Sequence, residues 1–290
     1  MPRLTELTLY PIKSCAGIAL ESAQVTAKGL YFSGVYDREW MLVDKQGMFI
    51  TQREYPKMAA IRPSIVGDEL HLHFAASANF PTLNLPITPT TNANVVTRQV
   101  QVWDDVLHAN DAGDEAANWF SSALGVPCRL VRFDPATSRI ASSRWVAGQE
   151  IPTHFSDGFP MLLIGQASLD DLNEKLQKKG LDAVPMDRFR PNLVIEGCEA
   201  FEEDYAESLS FGNDSASIIL KPVKPCPRCP MPAVDQVSGE LGPNPVDMLQ
   251  TYRVNPLVDD AVTFGMNVIL QQGEGGILQR GAELDLQIAF

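Results

Sequence analysis

The sequence predicts a β-rich α+β protein in which short strands form barrel-like or strongly bent sheets and a few helices lie among them. Two observations support this prediction, the recurrence of short strand-like runs and the turns that separate them. Short apolar or alternating runs recur along the 290 residues, with glycine- and proline-rich turns between them. Strands at such close spacing favour barrels and bent sheets. The length suits one large or two modest domains.

The N-terminal part of the chain is predicted to consist of strands. Residues 69–74 alternate cleanly between polar and apolar side chains, and Gly67-Asp68 before them is typical of a hairpin turn. The predicted strands of this part are residues 4–10, 18–25, 40–43, 48–50, 59–61, 69–74 and 95–103.

The rest of the chain mixes strands with three predicted helical segments. Residues 111–124 carry an apolar face and end before Gly125, whereas residues 168–179 begin at a candidate N-cap, Ser168, and are followed by Gly180. Residues 246–249 suit one helical turn. The predicted strands of this part are residues 128–131, 159–164, 193–195, 209–211, 218–220, 263–270 and 284–288.

The charge and cysteine content of the chain indicate which partners and which cellular compartment to expect. Its 36 acidic and 23 basic residues give a net charge of −13, which argues against a nucleic-acid ligand and requires a local cation cluster to bind any anion. Five irregularly spaced cysteines argue against a disulfide framework. The N-terminus resembles no signal peptide or anchor, and no apolar run approaches the ~18 residues of a membrane span. We therefore expect a cytoplasmic protein without a membrane partner.

The most informative stretch is a C-x-x-C motif in a proline-rich segment. Cys226 and Cys229 enclose Arg228, and five prolines lie between residues 222 and 232. Proline fixes φ and lacks a backbone donor, so this segment is predicted to be a stiff irregular loop, neither a helix nor a central strand. The positive charges of Arg228 and Lys224 favour a thiolate there.

Four interpretations of this motif remain open. A structural zinc site needs about four ligands, yet the other cysteines, Cys15, Cys128 and Cys198, are scattered. A thioredoxin-like pair needs a helix after its first cysteine, for which Pro230 and Pro232 leave little room. The two residues could also be ordinary loop cysteines. A single thiolate ligand to a metal cofactor fits the motif best.

Three further patches carry groups suited to an anion. Lys13 and Ser14 follow a predicted strand, Arg38 precedes another, and Arg190 and Asn192 flank a proline before a third. An ammonium, a hydroxyl and a guanidinium can together bind phosphate. Taken singly, these residues are also compatible with an exposed turn lysine, a surface ion pair and a loop-anchoring pair.

These segments, taken in chain order, resemble the MOSC family over nearly the whole sequence. The resemblance implies an N-terminal β-barrel-like MOSC_N domain over residues 1–110 and a MOSC β-barrel domain with a few helices over residues 111–290, which contains the Cys229 loop. The residues that carry the resemblance are Tyr10-Pro11-Ile12-Lys13-Ser14, Arg38, Phe189-Arg190-Pro191-Asn192, Cys226-Pro227-Arg228-Cys229 and Val234-Asp235.

The resemblance also implies a bound molybdenum–molybdopterin cofactor. Its metal ligand would be Cys229, and thiolate is the donor that a soft metal prefers. Bidentate arginine suits a terminal phosphate with about two negative charges. Asp235 is interpreted either as a catalytic proton donor or second-shell partner, or as a loop-capping residue. The residues implied to bind the cofactor are Lys13, Ser14, Arg38, Asp157, Gly158, Arg190, Asn192, Arg228 and Asn267.

The activity that the resemblance implies is reduction of small N-hydroxylated compounds: amidoximes, hydroxylamines and N-hydroxylated bases. Two electrons and two protons break the N–O bond and release water. No C-x₄-C-x₂-C spacing typical of a plant-type [2Fe–2S] centre is present, so a separate ferredoxin-, flavin- or cytochrome b5-type protein is expected to supply electrons. Residues 230–233 are Pro-Met-Pro-Ala, whereas the family pattern has aliphatic residues followed by threonine, so substrate preference stays open.

Two other functions remain. In one, Cys229 carries a persulfide for sulfur transfer or docks the molybdenum cofactor for another enzyme. In the other, the C-x-x-C motif is a redox switch within an interaction module. Replacing each cysteine separates the metal-ligand interpretation from the redox switch. A metal ligand predicts loss of function only when Cys229 is replaced, whereas a redox switch predicts equal damage from replacing either cysteine.

Overall fold

The computed structural model describes residues 1–88, 95–212 and 217–289, and it confirms the predicted β-rich α+β class. The helices of this part of the chain are α1 (Asp114–Leu124), α2 (Gln166–Lys178) and α3 (Val246–Leu249). The strands are β1 (Arg3–Leu9), β2 (Ile18–Leu20), β3 (Ser22–Thr26), β4 (Gly29–Phe32), β5 (Val35–Tyr36), β6 (Trp40–Val43), β7 (Ile61–Val66), β8 (Glu69–Phe74), β9 (Leu83–Pro86), β10 (Thr97–Val102), β11 (Asp105–Asp111), β12 (Arg129–Phe133), β13 (Met161–Gly165), β14 (Leu193–Glu196), β15 (Ala206–Phe211), β16 (Ile218–Pro227), β17 (Val254–Asn255), β18 (Ala261–Gln272), β19 (Ile277–Gln279) and β20 (Asp285–Ile288).

The largest sheet combines strands from both ends of the chain. Its order is β2-β1-β14-β13-β18-β16-β15-β20, and β17 adds to β18. Within this order β13 and β14 run parallel, and β1 pairs antiparallel with β14. The smaller sheets are β10-β11-β12-β6, β19-β3-β4-β5 and β7-β8-β9. Because β1 enters a sheet built mainly from residues beyond 160, side chains distant in sequence meet. The division at residues 110/111 stays a prediction.

The proline-rich segment is not the irregular loop that the sequence predicts. β16 continues through Pro222, Pro225 and Pro227 and pairs with β18 over this length. The register shifts between Pro222 and Lys224, and again between Pro225 and Pro227, so the prolines coincide with bulges. On its other side β16 pairs with β15 only through residues 218–220. Beyond them it is edge-like, and bulges and edges are the sites where sheets accept proline.

Two local predictions fail because distant residues or a tight turn decide the structure. Residues 59–60, predicted as a strand, complete a 3₁₀ turn over Pro56–Ala60, and proline suits the start of such a turn. Ser168 does not cap α2, which begins at Gln166. Its hydroxyl instead bonds the buried carboxylate of Glu203, 35 residues further along the chain. No local pattern indicates that contact.

An apolar cluster lies beside the C-x-x-C segment. The inward face of α2 supplies Leu169, Leu172 and Leu176, as predicted. The cluster also contains Phe189 and Phe264, whose ring centroids are 4.4 Å apart, and the half-buried Cys226 packs against it. This packing gives the segment a rigid base. In the described part of the chain, no helix is both long and apolar enough to cross a membrane.

Candidate functional site

One cavity brings together ten of the eleven residues that the sequence singles out. The cavity has a volume of about 110 Å³ and opens to solvent. Its predicted lining residues are Lys13, Ser14, Arg38, Asp157, Gly158, Arg190, Asn192, Arg228, Cys229 and Asn267. Its other lining residues are Thr51, Arg53, Trp103, Ser156, Phe159, Met161, Leu162, Arg188, Phe189, Cys226, Pro227, Met231 and Pro232.

The lining is strongly cationic although the whole chain carries −13. It contains one lysine, five arginines and a single carboxylate, that of Asp157. Such a cluster produces a local positive potential that the overall charge does not cancel at short range. The lining therefore supplies the local cation cluster that an anionic ligand of this acidic chain would need.

One side of the cavity, which we call the arginine wall, consists of Lys13, Ser14, Arg38, Arg190 and Asn192. Backbone hydrogen bonds align the first three residues. The amide of Arg38 donates to the Tyr10 carbonyl (2.7 Å), and that of Lys13 donates to the Trp40 carbonyl (2.8 Å). The segment after β1 therefore runs beside the start of β6, and this pairing brings two cations into one wall.

Four of the nine non-glycine residues with positive φ in the described part of the chain line this cavity. Ser14 (φ 65°), Arg38 (φ 48°), Trp103 (φ 54°) and Arg190 (φ 56°) all adopt left-handed conformations. That region is sparsely populated by residues with a side chain beyond Cβ, and each such residue costs about 1–3 kcal/mol. Four strained residues that line one cavity indicate that the fold retains these conformations to orient their side chains.

Lys13 and Asp157 form an ion pair at this site. The Lys13 Nζ donates to the Phe155 carbonyl (2.8 Å) and to Oδ1 of Asp157, which also accepts from Nε1 of Trp103 (3.1 Å). Burial lowers the pKa of Lys13, and Asp157 acts against this shift. Burial alone would raise the pKa of Asp157, but Lys13 and Trp103 hold it well below its usual range. The carboxylate therefore stays ionised.

Arg38 and Asn192 have most of their hydrogen-bonding groups occupied inside the scaffold. Arg38 pairs with the buried Asp37 and donates to Oδ1 of Asn192 (2.9 Å). The same Asn192 oxygen accepts from the backbone of Leu162 (3.1 Å), while its Nδ2 donates to the Thr8 carbonyl (3.0 Å) and to Asp37 (2.9 Å). Asn192 therefore fixes the wall, and its amide has little capacity left for a ligand.

Arg190 differs from Arg38 because it has no salt-bridge partner among the described residues. Its guanidinium is buried, lies 4.3 Å from the Tyr10 ring centroid and donates from Nη1 to Oε1 of Gln236 (3.3 Å). Nη2 has no hydrogen-bond partner within the described chain. Burial lowers the pKa of Arg190 from its ordinary value, but arginine remains charged at any physiological pH. A buried cation without a carboxylate is a candidate anion-binding group.

A second part of the lining, which we call the cysteine wall, consists of Cys226, Arg228, Cys229, Met231 and Pro232. Arg228 fixes its centre, because Nε and Nη2 donate to the Phe264 carbonyl (2.9 and 2.6 Å) and Nη1 donates to the Phe189 carbonyl (3.1 Å). Its backbone amide also donates to the Val262 carbonyl (2.8 Å). Arg228 is thus a structural brace for the wall, although it lines the cavity.

The two cysteines of the motif have different environments. Cys226 is the next-to-last residue of β16 and packs against the apolar cluster, and burial raises the pKa of its thiol although Arg228 opposes that shift. Cys229 lies beyond the strand and is half-buried, as Cys226 is. Within the described chain, no three His, Cys, Asp or Glu side chains are grouped to hold a metal ion. The ligand set of a structural zinc site is therefore not assembled in this part of the chain.

Asp235 is the predicted residue that does not line the cavity. Oδ1 accepts from the backbone amides of Val237 (3.0 Å) and Ser238 (2.8 Å), and Oδ2 accepts from Arg188 (2.8 Å). The hydrogen bonds from Ser238 are the main cause of its lowered pKa. An ionised aspartate cannot donate a proton at neutral pH. The geometry therefore corresponds to the loop-capping interpretation, and the proton-donor interpretation finds no support in it.

Trp103, Arg53 and Ser156 also line the cavity, although the sequence did not predict them as site residues. Trp103 lies on the two-residue turn between β10 and β11, is 40% exposed, and has the Arg53 guanidinium carbon 4.8 Å from its ring. An exposed tryptophan at a hairpin turn is unusual enough to have drawn attention, because that position normally favours Gly, Asn or Asp. Arg53 and Ser156 carried no comparable local signal.

Several buried donors at the cavity remain unpaired among the described residues. They are Nη2 of Arg190, Nε of Arg188 and the hydroxyl of Ser156. Unpaired buried polar groups are costly and call for an explanation such as a ligand. A Cβ added at Gly158 would meet nothing within 4 Å, so the lining is open there. A thiol, cations and free donors are together the groups that a metal cofactor with a phosphate requires.

Comparison with known proteins gives consistent matches over both halves. Residues 1–127 match the MOSC N-terminal beta barrel domain, and residues 150–285 match the MOSC domain. Mitochondrial amidoxime-reducing component 1 of Homo sapiens is 35% identical over 86% of this chain and 72% of its own length. Mitochondrial amidoxime reducing component 2 of Bos taurus is 33% identical over 87% of this chain and 72% of its own. Molybdenum cofactor sulfurase of Drosophila grimshawi is 34% identical over 84% of this chain but 29% of its own. These matches show that the chain belongs to the MOSC family.

Proposed function

We propose that the protein binds the molybdenum cofactor and reduces small N-hydroxylated compounds with electrons from a separate redox protein. One observation carries the proposal: a single cavity combines the Cys229 thiol with six cations and three unpaired donors. The amidoxime-reducing components named above supply the reaction class.

The two walls would hold different parts of the cofactor. The cations of the arginine wall suit its doubly charged phosphate. The Cys229 thiolate suits its soft metal. When bound, the cofactor supplies the two-electron reduction in which an N–O bond is broken and the oxygen leaves as water.

The residues of the chain would bind and orient the substrate. Asp157 is held ionised, so its oxygens can accept hydrogen bonds from the N–H groups of an amidoxime or of the amidine product. Arg228 and the bulged β16 keep the cysteine wall rigid, so that Cys229 keeps one position. Trp103 and Arg53 line one side of the entrance.

The decisive experiment measures molybdenum content together with benzamidoxime reduction by reduced viologen. The protein is purified from a host that makes the cofactor. About one molybdenum per chain with turnover is expected. A protein that carries no molybdenum from such a host would refute the proposal, and molybdenum without turnover would remove the reductase part of it.

The second candidate function is sulfur transfer or cofactor delivery through Cys229. The position of the Cys229 thiol in the cavity lining and the similarity to a molybdenum cofactor sulfurase favour it. A persulfide on Cys229, detected by mass spectrometry of the protein as isolated, would support this function. Under this function, the same protein would show no measurable reduction of benzamidoxime.

A further inference from the structure

A pair of buried amides lies directly behind Arg190. Gln52 is fully buried and Gln236 is 9% exposed. Nε2 of Gln52 donates to Oε1 of Gln236 (3.1 Å), and Nε2 of Gln236 donates back to Oε1 of Gln52 (3.0 Å). The two residues are 184 positions apart, so this amide pair joins the two halves of the chain behind the cavity.

The orientation of the Gln236 amide follows from its partners. Its oxygen accepts from both Gln52 and Nη1 of Arg190 (3.3 Å), while its nitrogen donates to Gln52 and to the Val234 carbonyl (3.1 Å). The reversed amide would set a donor against the guanidinium and an acceptor against a carbonyl. The amide therefore presents only its oxygen to Arg190.

This arrangement holds Arg190 without a salt bridge to any described residue, and the carboxylates of Asp37 and Asp187 act on its charge only from beyond salt-bridge distance. Arg38 and Arg188 have the carboxylates of Asp37 and Asp235 as partners, whereas Arg190 has a neutral amide and the Tyr10 ring. A carboxylate in the place of Gln236 would form a buried ion pair and cancel the charge that an incoming anion needs. Because the Gln236 oxygen is neutral, it orients the guanidinium without adding a negative charge that would repel an anionic ligand.

We propose that the Gln52–Gln236 amide pair is a positioning device that fixes Arg190 while leaving its charge and its Nη2 donor available for a phosphate dianion. The inference rests on the proposed function, because the dianion is the terminal phosphate of the proposed cofactor. Gln52 and Gln236 act through Arg190 and are positioning residues.

The test compares two replacements of Gln236 in the full chain, produced in a host unable to make the cofactor. Gln236→Met removes the acceptor without adding charge, and Gln236→Glu restores an acceptor but adds a carboxylate beside Arg190. The affinity for inorganic phosphate is measured by calorimetry at pH 8, and thermal unfolding of each variant is recorded alongside.

We expect Gln236→Met to weaken phosphate binding by about threefold and Gln236→Glu by at least about tenfold, because the added charge opposes a dianion at short range. A purely structural role predicts losses that follow the fall in melting temperature for both variants. Equal losses in the two variants, unchanged binding in Gln236→Glu, or no measurable phosphate binding by the wild-type chain would each overturn the proposal.

Two additional measurements identify the source of the phosphate. In the cofactor-loaded wild-type protein, inorganic phosphate should no longer bind, and Gln236→Glu should retain less molybdenum after gel filtration. Phosphate binding that persists in the loaded protein would overturn the assignment to the cofactor. Neither measurement uses turnover, so an absence of reductase activity with intact phosphate binding would refute only the reductase proposal.

Discussion

The two walls of the cavity use arginine in opposite ways. In the cysteine wall, Arg228 directs three nitrogens to the backbone carbonyls of Phe264 and Phe189, so its donors serve the fold. In the arginine wall, Arg190 has one long hydrogen bond to a neutral amide and an unpaired nitrogen. The same side chain can therefore be a brace or a ligand-binding group, and its hydrogen-bond partners distinguish the two roles.

The largest expected effect belongs to Cys229 and tests the cysteine wall itself. Cys229→Ser should lower benzamidoxime turnover and molybdenum content by more than about 100-fold, because a metal ligand matters more than the outer partners that cost 10–100-fold. Cys226→Ser is the matched control and should leave turnover and molybdenum content nearly unchanged, since Cys226 is not the proposed ligand. Full activity in Cys229→Ser would reject the ligand assignment, and equal damage from both variants would favour a dithiol switch.

The second effect compares the two arginines directly. Arg190→Met should reduce phosphate affinity at least about tenfold without lowering thermal stability, because a buried cation without a carboxylate contributes little to folding. Arg228→Met should lower the free energy of unfolding by about 2 kcal/mol, since it leaves the Phe264 and Phe189 carbonyls unpaired. Calorimetry and urea denaturation measure the two quantities. If the two variants exchanged these effects, the contrast between the walls would be wrong.

The third effect concerns the pH dependence of anion binding at Lys13. Burial already lowers its pKa and Asp157 opposes that shift, so Asp157→Asn should lower this pKa further. The ammonium then loses its proton at a lower pH than in the wild type, and anion affinity falls off earlier as pH rises. Sulfate is a suitable probe between pH 6.5 and 9.5 because it remains a dianion. Identical pH profiles in the two proteins would show that Asp157 does not control Lys13.

The smallest effect is expected at Trp103. Trp103→Phe keeps an aromatic ring beside Arg53 but removes the donor to Asp157. One hydrogen bond to a charged group is worth about 1.5–3 kcal/mol at most, and its loss at this exposed position should change phosphate affinity by only two- to threefold. A tenfold loss would mean that Trp103 contributes to anion binding as strongly as the residues of the arginine wall.

Much of the fold could be predicted from local sequence patterns. The alternation in residues 69–74 is strand β8, the apolar stripe of Leu169, Leu172 and Leu176 is the buried face of α2, and residues 246–249 form α3. These elements follow from the spacing of apolar side chains, which is a property of the sequence alone. Ser168 was misassigned because its partner, Glu203, is distant in sequence.

Residue types and their order identify the chemical groups available to the site, a proline-flanked thiol and several cations, and they also predict the family. How each group is used depends on the fold. The fold carries β16 through three prolines by means of bulges and sets Asp235 in a turn outside the cavity lining. It also pairs Gln236 with Gln52, 184 positions away, beside Arg190. The physical reason is that hydrogen-bond satisfaction is a pairwise property of groups in space, so the available charge of an arginine depends on partners that no local pattern specifies.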